Sequence, residues 1–417
     1  MLQNIILPIN WKNPITYYFI LLFAYIINGM IGMEPGKSGT SEGGGIINTI
    51  ISGSIIAFCT LTIIFHNKNK INKKNSIYNA ILLLYIYIIV RMIIMYITNL
   101  SIEAIAMRNT FTILFWMTSF LFCLQKFRKE EKETISKLSK ILIIITVIFY
   151  LYSAIKQKAY LQQSDIIGAN NVIGSAYMLV PIIWLILKGK IKIYGYLLCL
   201  VICALSQKRQ CLLGFIIVSI FIMKDFIKLY FKSFKIIAII FLGIGFIFSQ
   251  NIINKVFGGL IERQQHLSEK DELADSGRSL LWIAAIDEYT NASFTNIIFG
   301  GGPGTSAYYI NQTFWYVYPH NGFIEVMCDY GIIGLYLYIS IFLKLLKKAF
   351  EYPRDSIIRK LLLGITCTWI MSNIVSHAGR IWVIYLAIAV GYIECINNKN
   401  FKFKKNKYDN RLYNRSV

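Results

Sequence analysis

Apolar runs of about 17–22 residues recur along almost the whole chain, each long enough to cross the ~30 Å hydrocarbon layer of a bilayer. They lie near 14–33, 46–65, 77–97, 109–125, 139–155, 172–188, 193–207, 211–223, 236–248, 321–343, 361–376 and 381–396, those near 211–223 and 236–248 being short. In lipid a helix satisfies its own backbone over such lengths, so the expected fold is all-α, a polytopic bundle of about 12 transmembrane helices. Composition agrees. With 56% hydrophobic and 15% charged residues, a soluble protein of 417 residues would lack the charge to cover its surface.

The net charge of +22 suggests nucleic acid, but its distribution points elsewhere. With both termini inside, the segments facing the cytoplasm hold 31 of the 43 Lys and Arg residues. That asymmetry is the positive-inside rule, so basic clusters are read as topology signals and anionic-lipid contacts, and nucleic acid is not expected as a partner. The expected location is a membrane, with the 249–319 excursion outside. The N-terminal run lacks a charged leader and small-residue cleavage site and is expected to be retained. The eight cysteines lie in or beside spans, and Cys199 and Cys203, at i,i+4 with no acid or histidine nearby, are read as core packing.

Four regions follow: a transmembrane bundle over 1–248, a large extracytoplasmic loop over 249–320, further membrane helices over 321–396 and a basic cytoplasmic tail over 397–417. There is no Walker-type phosphate loop, which disfavours an ATP-driven pump, and no internal repeat, which disfavours a transporter built from inverted halves. Within the loop, Ser276 can cap a helix over 276–290 whose Leu280, Leu281, Ala284, Ala285 and Tyr289 share one side. That stripe suits the bundle mouth or the lipid interface. Gly300-Gly301-Gly302-Pro303-Gly304 follows, with Gly302 and Gly304 able to bring backbone N–H groups close to a ligand.

The chemistry-bearing residues are sparse. His320 precedes a span that Asn321 can cap, where free N–H groups favour an anion. It is either a general base working near neutral pH or an interfacial histidine bonded to a backbone carbonyl. Arg209, in Ser206-Gln207-Lys208-Arg209-Gln210, either anchors a helical hairpin by snorkelling or grips a phosphate. Arg91 lies inside a span and needs a partner or a wet cavity. Arg380, in an outer turn, is an interface anchor or a further anion ligand. Arg278, in the first turn of the loop helix, works against the helix dipole and is not explained by helix stability. Arg91, Arg209, Arg278 and Arg380 could converge on one diphosphate, whose oxygens suit the guanidinium fork. No clustered metal ligands are seen in the loop, and neither metal nor cofactor is expected.

In order, Gly277-Arg278-Ser279-Leu280-Leu281-Trp282, the glycine run at 300–304, His320-Asn321 and Gly331-Ile332-Ile333-Gly334 resemble the O-antigen ligase and polymerase superfamily of bacterial envelopes. The hairpin Ser206–Arg209 and Asn170/Asn171 with Pro181 resemble its earlier motifs, although Lys208 departs from the usual small-residue surroundings. The resemblance covers roughly 165–345. It implies a GT-C-like helical fold and a metal-independent, inverting glycosyl transfer from undecaprenyl diphosphate outside the cytoplasm. His320 would then take the acceptor proton, and Arg278 and Arg209 would hold the leaving diphosphate. Arg91, Arg380, Asn321, Gly302 and Gly304 would line the substrate. A Wzy-type polymerase is favoured over a ligase, and a flippase or transporter is the alternative of another class. Expected partners are the lipid-linked glycan donor and acceptor, membrane lipids, and flippase and chain-length regulator proteins.

Overall fold

The computed structural model describes residues 13–31, 45–65, 75–98, 104–127, 132–164, 173–206, 208, 210–222, 278–313, 317–376 and 381–397. The described residues form helices and turns. The first five helices are α1 (Pro14–Ile31), α2 (Gly45–Phe65), α3 (Ser76–Ile97), α4 (Ala104–Lys126) and α5 (Lys132–Ser164). A 3-10 turn (Ile173–Leu179) leads into α6 (Val180–Ile186), then α7 (Gly189–Leu205) and α8 (Gln210–Ile222). Three short helices follow: α9 (Arg278–Thr290), α10 (Phe294–Phe299) and α11 (Thr305–Asn311). The chain closes with α12 (Gly322–Phe350), α13 (Ile357–Ile374), a 3-10 turn (Ile381–Val383) and α14 (Ile384–Asn397).

Among the described residues six helices have the length and apolarity to cross a membrane. They are α1, most of α2, α3, much of α5, α12 and α13. The expected run near 236–248 lies outside the described residues, and the other expected runs, that at 172–188 apart, each fall on a helix. The run at 172–188 is a correction. It is not one continuous α-helix but a fully buried 3-10 turn followed by seven residues of α-helix. Pro181 in the first turn of α6 has no N–H to offer an upstream carbonyl, so an α-helix starts there more readily than it runs through.

Side-chain caps set several helix starts. Asn75 Oδ1 accepts from the N–H groups of Ile77 and Tyr78, and Ser356 Oγ accepts from Ile358. The bundle is then held by packing. Helix α12 lies against α3 and α13, α2 against α4 and α1, and α1 against α5. Aromatic rings interlock α4, α12 and α13: Phe120 stacks on Trp369 at 5.3 Å, and Phe342 meets Trp369 edge-on at 4.9 Å. With no water to expel between spans in lipid, such van der Waals contact and interhelical hydrogen bonds supply the association energy. Tyr338 donates to Asn373 Oδ1 at 2.6 Å and Asn28 donates to Asn48 at 2.8 Å. Cys199 and Cys203 are buried in this core, as their apolar surroundings suggest.

Helix α12 has 29 residues but does not run straight for the roughly 43 Å that an unbroken helix of that length would cover at 1.5 Å per residue. It is broken at Gly331, where φ is 71° and ψ is −173°. The break divides it into a short segment that begins at the Asn321 cap and a longer one ending at Phe350.

Candidate active site at the entry to the long late helix

Helices α9, α10 and α11 build a small core of their own on the first turns of α12. Leu281, Ala285, Tyr289, Tyr309, Ile310 and Cys328 are buried together, with Ile324 and Met327 beside them. The expected stripe on α9 is therefore packed on the bundle, with one correction: Leu280 is 42% exposed. Leu280, Ile283 and Ile286 form a second, outward line at helical spacing, and the packed side is Leu281, Ala284, Ala285 and Tyr289. Burial pushes the Tyr289 phenol up to about 12, and its hydroxyl donates to the Ile297 carbonyl at 2.6 Å, tying α9 to α10. The expected cap Ser276 lies outside the described residues.

Arg278 is the first residue of α9. One of its guanidinium N–H groups donates to the Val375 carbonyl at 3.3 Å, beside the end of α13. This contact answers why a cation sits in the first turn: it is oriented by tertiary structure. One helical turn further, about 6 Å along α9, Trp282 Nε1 donates to the Pro319 carbonyl at 2.6 Å. The next residue is His320, half-buried, with φ of 52°. Asn321 then caps α12, its Oδ1 accepting from the N–H groups of Phe323 and Ile324 at 3.0 and 3.3 Å. Arg278 and His320, 42 positions apart in sequence, are both tied to α9: Arg278 is its first residue, and Trp282 one turn on bonds the Pro319 carbonyl beside His320.

The glycine run is a defined turn here, not a free one. Gly300, Gly302 and Gly304 have φ of 81°, 101° and 89°, a region that suits glycine. The N–H groups offered to a ligand on sequence grounds are already engaged: Gly302 donates to the Asp329 carbonyl at 2.8 Å, and Gly304 donates to Asp329 Oδ2 at 3.1 Å. Ser306 donates to Asp329 Oδ1 at 2.8 Å. Any part Gly302 and Gly304 take in substrate binding therefore runs through the shape of the turn. Arg91, from α3, donates to the Gly300 carbonyl. Tyr87, one turn before it, lies 3.0 Å from the Phe299 carbonyl and 2.9 Å from that of Tyr330. The intramembrane arginine has found its partner in the loop backbone, and it braces the turn against the bundle.

Replacing Asp329 with alanine should leave two buried N–H groups without acceptors, at about 1–3 kcal/mol each. We expect a loss of about 2–5 kcal/mol, read as a shorter thermal half-life of the detergent-purified protein. Asp329→Asn keeps one carbonyl oxygen and should lose about half of that.

Glu325 is fully buried one turn above Asp329, and Asn109 of α4 donates to its Oε1. Sequence reasoning passed over both acids. Two carboxyl residues at i,i+4 within an apolar run were the available signal, because such groups are costly in a membrane unless partnered.

The hairpin before α8 is partly described. Ser206 Oγ donates to the Cys203 carbonyl at 2.6 Å and accepts from the Lys208 N–H at 3.2 Å. The Lys208 side chain lies over Gly174, where a Cβ would come within 2.6 Å of its Cδ. Arg209, Arg380, Asn170 and Asn171 lie outside the described residues. Among the described residues no three His, Cys, Asp or Glu side chains group as a metal site would require.

Six helices of membrane-crossing length and apolarity among the described residues, with the small α9–α11 core packed on α12, are those of a multi-pass helical membrane protein. Residues 194–339 match the family model described as O-antigen ligase, and this supports placing the chain in the O-antigen ligase and polymerase superfamily. The matched stretch contains the hairpin, α9 to α11 and the first part of α12. No curated protein matches the chain. The family match points to a glycan-processing enzyme of the ligase or polymerase type.

Proposed function

We propose that this protein is a polysaccharide polymerase that joins undecaprenyl-diphosphate-linked repeat units into O-antigen or capsular polysaccharide on the extracytoplasmic face. The observation that supports it most is that α9 carries Arg278 and, through Trp282, bonds the peptide before His320 at the start of α12. An imidazole and a guanidinium both positioned by one helix suit displacement of a diphosphate by a sugar hydroxyl. His320 would accept the proton of the attacking hydroxyl. The new bond forms between that oxygen and the anomeric carbon of the donor. The bond from that carbon to the diphosphate oxygen breaks on the opposite face, which inverts the configuration. Arg278 would take up the charge that develops on the leaving diphosphate, a stabilisation that grows toward the transition state. Arg209 and Arg380 are assigned to the same anion from the sequence. Arg91 is assigned to bracing the turn that frames the site.

A ligase of the same fold is the second reading, favoured by the description of the matching family. Deleting the gene separates the two. Loss of a polymerase leaves single repeats at the surface, loss of a ligase leaves long chains on the carrier lipid, and loss of a flippase leaves repeats inside. For the purified protein, Arg278→Lys should keep the charge but lose the bidentate fork. Its rate should fall by about tenfold to a hundredfold, the span of one or two lost charge-assisted hydrogen bonds, as scored by lengthening of lipid-linked repeats. A chelator such as EDTA should leave the wild-type rate unchanged. Inhibition that added divalent metal reverses would show that the arginines do not neutralise the diphosphate alone.

A further inference from the structure

We propose that Trp282 is a positioning residue for the base: its indole holds the Pro319 peptide and so holds His320 in a backbone conformation that histidine does not favour. The inference rests on the functional reading above, because it needs His320 to act on the acceptor. It assigns to Trp282 a part in the reaction that the family match does not give it.

The Trp282 Nε1 to Pro319 oxygen distance of 2.6 Å is short for an N–H donor. His320 has φ of 52° and is the one non-glycine residue with positive φ among the described residues. A residue with a Cβ is disfavoured there and stays only where its surroundings over-determine it.

The geometry shows what does the determining. The Pro319 carbonyl and the His320 N–H belong to one planar peptide unit. Fixing the carbonyl fixes the plane from which the His320 φ is measured, and Pro319 restricts the chain before it. On the other flank Asn321 is fixed by capping α12. His320 is thus the single residue joining two anchored points, and the left-handed turn is the conformation that joins them. Release of the carbonyl would let His320 relax to negative φ and swing its imidazole away. Because Trp282 shares α9 with Arg278, one helix sets the place of both the guanidinium and the imidazole.

The test uses the full-length protein in nanodiscs and undecaprenyl-diphosphate-linked repeats extracted from a strain deleted for this gene. Trp282→Phe keeps a ring and removes the N–H. Incorporating 3-benzothienylalanine at 282 keeps the bicyclic shape with sulfur in place of N–H, which guards against a packing defect. Both should lower kcat at least tenfold with KM within twofold of wild type. In a His320→Ala background, measured over long single turnovers, the same change should alter the residual rate less than twofold. A kcat within twofold of wild type for the sulfur isostere would overturn the inference. So would an equal loss in both backgrounds, which would put the indole on the donor or on the fold. A fully active His320→Ala protein would remove the functional reading and this inference with it, whereas an inactive one beside an unaffected isostere would remove the inference alone.

Discussion

Replacing His320 with alanine is expected to slow glycan lengthening by about 10²–10⁴-fold, the usual contribution of a positioned general base. The protein should remain folded. His320 is half-buried and polar, so trimming its side chain removes little apolar burial. Alanine carries a Cβ as histidine does, so the left-handed backbone between the Trp282 and Asn321 anchors is kept at a similar cost. The measurement is a single-turnover assay of lipid-linked repeats, read beside the elution profile and thermal half-life of the same preparation. A folded variant that lengthens glycan at the wild-type rate would show that the acceptor proton goes elsewhere.

The largest expected loss of stability is at Gly331. Its φ of 71° with ψ of −173° falls in a region essentially reserved for glycine, costing another residue about 1–3 kcal/mol. Space is tighter still. A Cβ on Gly331 would stand 2.3 Å from the Ile298 carbonyl oxygen and 2.5 Å from the Gly300 nitrogen, both main-chain atoms that cannot turn aside. Gly300 is in the same position toward its neighbour, since its own Cβ would meet the Asp329 oxygen at 2.3 Å. The two backbones touch because neither glycine carries a side chain. Gly331→Ala should therefore cost about 4 kcal/mol or more, in the range of the most damaging single substitutions, and separate the small helical layer from α12. Activity would be lost while His320 and Arg278 remain in the chain. Gly53→Ala in α2 is the control. A Cβ there meets nothing within 4 Å, and alanine should stabilise the helix by about 0.5–1 kcal/mol. If Gly331→Ala behaves like Gly53→Ala, the direct backbone contact is not what joins α10 to α12.

These expectations mark how far the residues could be read in one dimension. The apolar runs gave helix positions well, because a span depends on local composition over a fixed length. The α9 helix and most of its packed stripe were legible for the same reason, as was the Asn321 cap, since a side chain two residues from an N–H needs no distant partner. Pro181 was visible too, yet the 3-10 turn before it was not, because hydropathy does not report which carbonyl each N–H finds. The role of Arg91 was out of reach, as its partner lies 209 positions away at Gly300. The glycine run was misjudged as available to a ligand for a similar reason. Its N–H groups look unclaimed until Asp329 is brought beside them.

The amino-acid order alone determined an all-helical membrane architecture and marked Arg278, His320 and the glycine motifs as unusual. The first follows from the cost of bare backbone in lipid, the second from local signals: a cation against a helix dipole, a histidine beside a cap and glycines free to take unusual turns. Only the tertiary structure decided that α9 lies across the start of α12, that Trp282 reaches Pro319, and that Gly300 and Gly331 share one contact. Those are pairings between segments tens of residues apart, fixed by shape and by which donors and acceptors end up facing each other. No local pattern encodes them, because each depends on every other contact that folds the two segments together.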